Sequence, residues 1–291
     1  MTTQIGVVGV GTMGRLVAAA LAAAGRPVTA YDADGAALTR LRGEAPGVEV
    51  AESVAEVAAA CDVVVLSLPT PEVVSAVVAE IAASRGVTVL DTSTVGPDTS
   101  HEALATMVEV GGRYADTPVL GRPVAVGRWT IPVGGDASLV AVAADVLAPV
   151  AAKVVGVGPT GAAATLKVLN NLMLGVINAA TAEVLVLAEE AGLDPVVFVE
   201  TLVDSGAASV SGLFREVAPK AVRGDFEPTF SVRLMHKDNA LALELAQRYG
   251  VPVEVARAAQ AANLRALDAG LGEEDSIAVV KPLRRAVGGR G

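Results

Sequence analysis

Six residues near the start, Gly9-Val10-Gly11-Thr12-Met13-Gly14, limit what this chain can fold into more than any other stretch. Ahead of them Gln4 to Val8 is apolar and β-branched, the composition of a buried strand. Behind them Leu16 to Ala24 is rich in alanine and leucine and reads as a helix. Within this strand, turn and helix each glycine has its own task. Gly9 permits the tight turn, Gly11 lets the backbone approach a pyrophosphate, and Gly14 lets the helix pack close to the strand. The N–H groups at the helix start, around Thr12 and Met13, then face the phosphates. A second strand, Val28 to Tyr31, ends at Asp32, near the roughly 20-residue spacing expected of the acid that binds the adenosine ribose. A carboxylate there accepts hydrogen bonds from the ribose hydroxyls and repels a 2′-phosphate. Ala33 follows, and no arginine occurs until Arg40, so NAD is expected over NADP.

The pattern continues through Ser53, a helix cap, and the apolar run Val63 to Leu68, which reads as a parallel strand buried on both faces. Thr70-Pro71 opens the next helix, and Val87 to Leu90 is a strand ending at Asp91. Repeated β-α units imply an α/β fold: an open, doubly wound parallel sheet of the Rossmann type, with ligands at the carboxyl ends of its strands. Gly9, Asp32, Leu68-Pro69 and Asp91-Thr92-Ser93-Thr94 all stand at such ends. Tyr114 to Val119, Thr130 to Val133 and Lys153 to Val155 read as further strands. Beyond Gly161 the segments Thr165 to Ala191, Pro195 to Asp204, Ser211 to Val222, Ser231 to Tyr249 and Pro252 to Ala269 all read as helices. The expected organisation is a dinucleotide-binding domain over residues 1–160 and an all-α domain over 161–291 that serves substrate binding and dimerisation, with Arg284 to Gly291 frayed.

Composition narrows the function. The 291 residues are 52% hydrophobic and 19% charged, enough for two cores, and only 3% aromatic, so those cores are Ala, Val and Leu. A net charge of −10 with no basic block argues against nucleic acid and against an anionic membrane surface. The one cysteine, Cys61, excludes an intrachain disulfide and precedes an apolar strand, where a small buried hydrophobe is expected. Two histidines and that cysteine, scattered, suggest no metal site. Only Met1 to Thr3 precede the first strand, which leaves no targeting segment and points to the cytoplasm. The apolar stretch Leu172 to Ala188 contains Asn178 and Glu183 and reads as a core helix rather than a membrane span.

Lys167 and Asn171 lie one helical turn apart on a face that continues through Leu174 and Asn178. Their spacing leaves two readings open: a snorkelling lysine beside a structurally bonded amide, or a site.

At this point the sequence resembles the β-hydroxyacid dehydrogenase family, which includes 3-hydroxyisobutyrate dehydrogenases, tartronate semialdehyde reductases and sulfolactaldehyde reductases and shares a 6-phosphogluconate dehydrogenase-like build. The resemblance spans nearly the whole chain. It rests on Gly9 to Gly14, Leu68-Pro69, Asp91 to Pro97, Lys167 to Asn171 and His236-Lys237-Asp238-Asn239. It implies an enzyme passing a hydride between a nicotinamide and a short β-hydroxy acid or its semialdehyde. In it Lys167 would be the general acid/base and Asn171 would orient the substrate. Ser93 and Thr94 would line the substrate and nicotinamide site. Lys237 and Asp238 would close over cofactor and substrate in the cleft between the domains, and Phe230 would sit near the nicotinamide. Family members that prefer NADP tend to carry Asn-Arg where this chain has Asp32-Ala33. Lysine in a positively charged, partly desolvated cleft has a lowered pKa, suited to proton transfer, and Lys237 would contribute if the fold brings it close. A homodimer or homotetramer is expected.

The resemblance departs at one loop. Family members usually carry Ser-Gly-Gly after the strand matching Pro118-Val119, where this chain has Leu120-Gly121-Arg122-Pro123. Gly121 and Arg122 are therefore expected in the substrate site, with Arg122 either a clamp for an anionic head group or a solvent-facing side chain. A sulfolactaldehyde-type head group or a second carboxylate would suit the clamp. Arg128 and Trp129 are also unusual and either shape the pocket or pack at a subunit interface. An imine reductase shares the two-domain build but typically replaces the lysine. A cofactor-binding module without catalysis would lose it too, so Lys167 speaks against both.

Overall fold

A computed structural model describes residues 3–84, 86–207 and 210–288. By packing, the chain divides into two units, the first ending at Lys167 and the second beginning at Val168.

The first unit alternates β1 (Ile5–Val8), α1 (Thr12–Ala23), β2 (Val28–Tyr31), α2 (Gly35–Glu44), β3 (Glu49–Val50), α3 (Val54–Ala60), β4 (Val63–Leu66), α4 (Pro71–Ile81), β5 (Thr88–Asp91), α5 (Pro97–Glu109) and β6 (Arg113–Asp116). Then follow a short 3₁₀ turn at Pro123–Ala125, β7 (Trp129–Gly134), α6 (Ala137–Val146) and β8 (Ala151–Gly158). The eight strands form one sheet in the order β3-β2-β1-β4-β5-β6-β7-β8, parallel except where β7 meets β6. The order reverses beside β1, the point at which doubly wound sheets open a ligand crevice. Strand pairing aligns Val8 with Tyr31 and Leu66, Leu66 with Asp91, and Asp91 with Asp116. Gly9, Asp32, Ser67, Thr92 and Thr117 therefore leave the sheet along one edge.

Both faces of the sheet are covered, which is why its strands read as unbroken apolar runs. Val17, Leu21, Leu41, Leu139 and Val146 fill one side. Val57, Val74, Val78, Ile81 and Met107 fill the other. The helices start where caps allow. Ser53 Oγ accepts from Glu56 N, Thr70 Oγ1 accepts from Val73 N ahead of Pro71, and Asp136 accepts from Leu139 N. Cys61 is buried, and burial pushes its thiol up.

The sequence places some strand ends differently. β4 stops at Leu66 rather than Leu68, and β6 at Asp116 rather than Val119. In each case the chain leaves the ladder to build the loop at the carboxyl edge. Conversely β8 extends over Ala151–Gly158, well past the expected three residues, because β7 offers a parallel partner over that length.

The second unit is helical. It carries most of α7 (Ala162–Glu190), then α8 (Pro195–Ser205), α9 (Gly212–Arg223), α10 (Val232–Arg248), α11 (Glu254–Asp268), a 3₁₀ turn at Ser276–Val279 and α12 (Val280–Ala286). Leu185, Phe214, Val217, Ile277 and Val280 form its main core. α7 is long and apolar enough to span a membrane, and half of its most apolar window is buried in the protein. The expected frayed end is corrected in part. Arg284 stands in α12, pairs with Glu189 and donates to the Ala221 carbonyl, so long-range polar contacts hold a stretch that local composition leaves weak. Residues 289–291 lie outside the described residues. Asp275, buried and unmarked by any motif, accepts from Lys220 Nζ and from both the N–H and hydroxyl of Thr229.

Candidate active site

The glycine turn fits its expected geometry at all three positions. Gly9 has φ +86°, and a Cβ there would lie 2.4 Å from the Ser67 carbonyl oxygen. A Cβ on Gly14 would lie 1.8 Å from the Gly9 carbonyl oxygen. At Gly11 the same atom would meet nothing within 4 Å. Gly11 is also the N-cap of α1 and supplies no side-chain acceptor to the first turn of Thr12 and Met13. The open approach to uncapped helix N–H groups is what a pyrophosphate needs. Asp32 is held ready on the next strand. Its carboxylate accepts from Val10 N at 2.7 Å and from Asp34 N at 2.8 Å. Two backbone donors fix its plane and leave further lone pairs for a ligand.

The neighbouring loops are tied together. Ser93 Oγ accepts from Leu68 N at 2.9 Å, while Ser93 N donates to Asp91. Leu68 is half-buried, Pro69 is exposed and Thr94 is half-buried at this edge. Beneath them lie two acids that the sequence reading passed over as functional groups. Asp91 and Asp116 are each 1% exposed. Asp91 accepts from the Tyr114 hydroxyl at 2.8 Å, and Asp116 accepts from Gly161 N and Ala164 N, capping the start of α7. Burial raises both carboxyls above their ordinary range, and it raises the Tyr114 hydroxyl well above its own. An acid raised on folding stabilises the fold more as pH falls through its folded value toward its ordinary one, and less above it. The signal that could have found Asp116 was its likeness to Asp91: an acid closing an apolar strand at the ligand edge.

Because Asp116 holds its first turn, α7 begins inside the first unit. Lys167, half-buried on that segment, donates from Nζ to the Val119 carbonyl at 2.8 Å. Val119 is the root of the loop Leu120-Gly121-Arg122, which Leu120 ties back to Thr130 through two backbone hydrogen bonds. Gly121 is exposed and Arg122 half-buried. Trp129 is fully buried and donates its indole N–H to the Arg122 carbonyl at 2.8 Å. Of the two roles expected for it, packing at a subunit surface is excluded by that burial. Arg128 beside it is exposed.

Asn171, Phe230, Lys237 and Asp238 belong to the second unit. Asp238, 1% exposed, accepts from the Asn171 amide and lies 2.9 Å from the Lys237 ammonium. Phe230 is half-buried, and its carbonyl accepts from Ser276 N. Among the described residues no group of three His, Cys, Asp or Glu side chains could hold a metal.

Residues 4–158 match the family described as the NAD binding domain of 6-phosphogluconate dehydrogenase. Residues 161–283 match the one described as the NAD-binding of NADP-dependent 3-hydroxyisobutyrate dehydrogenase. The chain belongs to the β-hydroxyacid dehydrogenase family. Its curated relatives include 2-(hydroxymethyl)glutarate dehydrogenase of Eubacterium barkeri, 32% identical over 98% of this chain and 96% of the relative. L-threonate dehydrogenase of Cupriavidus necator is 34% identical over 97% and 96%. The structure of Mycobacterium tuberculosis 3-hydroxyisobutyrate dehydrogenase with L-serine superposes with a TM-score of 0.87 at 31% identity, covering 98% of this chain and all of that one. This member of the β-hydroxyacid dehydrogenase family is thus an oxidoreductase that uses a nicotinamide cofactor.

Proposed function

We propose that this enzyme uses NAD to oxidise a short β-hydroxy acid that carries a second anionic group, and runs the reverse reduction of the semialdehyde, with Lys167 as general acid/base. The observation that carries this reading is the 2.8 Å hydrogen bond from Lys167 Nζ to Val119 O, which sets the amine at the root of the loop bearing Arg122. The bound nicotinamide accepts the hydride from the carbinol carbon, or returns it to the carbonyl. In oxidation neutral Lys167 takes the hydroxyl proton as the C–O bond becomes a carbonyl. In reduction its ammonium gives that proton to the forming alkoxide. Asn171, one turn on along α7, orients the substrate, and the buried Asp238 fixes its amide. Lys237 adds positive charge, and Phe230 packs near the nicotinamide. Ser93 and Thr94 line the site. Ser93 Oγ accepts from Leu68 N and its hydroxyl hydrogen-bonds the buried Asp91 carboxylate, so the side chain is held in place from both sides. Gly121 and Arg122 take the anionic head group. The guanidinium suits a carboxylate or sulfonate through paired N–H groups, and a relative named for 2-(hydroxymethyl)glutarate has a dicarboxylic substrate.

The test is a panel of 2-(hydroxymethyl)glutarate, 3-hydroxyisobutyrate, threonate and sulfolactate, assayed with NAD by NADH absorbance. Turnover of a dianionic member is expected. Arg122→Ala should raise KM for it about 10- to 100-fold, the range of one charged hydrogen-bonded contact. An unchanged KM would remove the clamp from the reading.

Asp32 sets the cofactor preference. Its oxygens face the ribose side already ordered by Val10 N and Asp34 N, and a 2′-phosphate would meet that negative charge. Replacing Asp32-Ala33 by Asn-Arg removes the repulsion and supplies a phosphate partner. The ratio of kcat/KM for NADP to that for NAD should rise about 10- to 100-fold. A wild-type enzyme that already favours NADP would overturn the assignment.

A further inference from the structure

The loop that carries Arg122 is fastened at both ends within the first unit. At its root Lys167 Nζ donates to the Val119 carbonyl at 2.8 Å. At its far end the Trp129 indole N–H donates to the Arg122 carbonyl, also at 2.8 Å. The indole ring lies so close beneath Gly121 that a Cβ there would stand 2.2 Å from Trp129 Cδ1. Only a residue without a side chain can rest on this floor. Trp129 is 0% exposed, at the start of β7, in a core otherwise built of aliphatic side chains. Core filling alone asks for no donor there. Indole has one N–H and no acceptor, and its buried N–H needs a partner. Here that partner is the backbone carbonyl of Arg122.

We propose that Trp129 is a positioning residue for substrate specificity, holding the Arg122 backbone at a set place relative to Lys167. The proposal rests on the reading of Arg122 as the residue for the anionic head group. With the indole bond made, the distance between that head group and the carbinol served by Lys167 is fixed before substrate arrives, and binding spends less on ordering the loop. With it lost, the Arg122 carbonyl keeps one donor, Ala125 N at 2.9 Å, where it had two, and the base of the guanidinium is held less firmly, while Lys167 keeps its bond to Val119.

Trp129→Phe keeps an aromatic ring and removes the N–H. KM for 2-(hydroxymethyl)glutarate should rise about threefold to tenfold, the effect of one neutral hydrogen bond. KM for the monoanion 3-hydroxyisobutyrate and the dissociation constant for NADH should hold, and kcat should change little. Equal rises for both acids, or a fall in kcat alone, would overturn the proposal, since a merely structural role has no reason to distinguish one anion from two. Gly121→Ala attacks the same contact in a chain that retains Trp129 and should also raise KM for 2-(hydroxymethyl)glutarate, less than additively with Trp129→Phe. It decides the matter if the phenylalanine variant does not fold. If neither acid is turned over, the catalytic reading has failed and a separate readout remains. Trp129 is the only tryptophan in the chain, so its fluorescence reports this loop alone. Glutarate added to the NADH-loaded enzyme should shift the emission, and Arg122→Ala should abolish the shift. No shift in the unaltered chain would overturn the proposal.

Discussion

Lys167→Ala should lower kcat/KM by about 10²- to 10⁴-fold, the usual contribution of a positioned general acid/base. In barrier height that is roughly 3–5 kcal/mol. The loss of the half-buried Lys167's hydrogen bond to the Val119 carbonyl costs on the order of 1 kcal/mol of stability, small beside the loss of rate. NADH affinity should persist, because the glycine turn and Asp32 do not depend on the amine. Lys167→Arg sharpens the test. Arginine can still donate to Val119 O and keeps the positive charge, but it does not give up its proton. If Lys167 serves only to place charge or to anchor the loop, arginine should restore most of the rate. If it exchanges a proton with the substrate, arginine should be nearly as slow as alanine, and the limb of the pH–rate profile that belongs to the amine should vanish in both. Retention of kcat/KM within a few-fold in the alanine variant would end the assignment.

How much of this was legible in the sequence depends on the range of the interactions concerned. The sheet and its ligand edge follow from local signals. β-branched runs end at Gly9, Asp32 and Asp91, and Thr70-Pro71 and Ser53 mark helix starts that the caps reproduce. What the sequence could not reveal is mostly made by residues far apart in the chain. Asp116 accepts from Gly161 and Ala164, so the first turns of α7 pack with the sheet, and by packing the first unit runs on to Lys167, past the turn near residue 160 where the two family matches meet. Turn composition marks where a chain bends, but not which unit the next helix joins. The same holds for Trp129. Read along the sequence it is an odd aromatic beside an arginine, with two roles open. Only the antiparallel return of β7, with Leu120 paired to Thr130, brings its indole beneath Gly121. Arg284 shows the reverse error, where weak local propensity concealed an ion pair to Glu189.

Gly11 and Gly14 of the opening motif should show different phenotypes, and the difference tests whether this turn is a cofactor cradle or only a tight bend. Gly14→Ala brings a methyl to 1.8 Å from the Gly9 carbonyl oxygen and 2.9 Å from Ser67 Cβ. Neither obstacle is the tip of a flexible side chain, so the helix must move off the strand or the turn must open. That cost stands at or above the ~3 kcal/mol end of ordinary overpacking, a large part of the roughly 5–15 kcal/mol by which such proteins are folded. Thermal unfolding should show it as a loss of about 6–12 °C in Tm, or as a chain that does not accumulate in folded form. Gly11→Ala meets nothing within 4 Å, and its φ of −64° is open to any residue. Its Tm should stay close to that of the unaltered chain, since exchanging the N-cap glycine costs at most about 1 kcal/mol. Its methyl instead occupies the open side over which the pyrophosphate must approach the N–H groups of α1. NADH affinity, followed by fluorescence titration, should therefore fall about 10- to 100-fold, as expected when charge-assisted hydrogen bonds to phosphate are lengthened or lost. If Gly11→Ala binds NADH normally, the open space above Gly11 is not the pyrophosphate site. If Gly14→Ala melts with the unaltered chain, the close packing of α1 on the turn is not what requires glycine there.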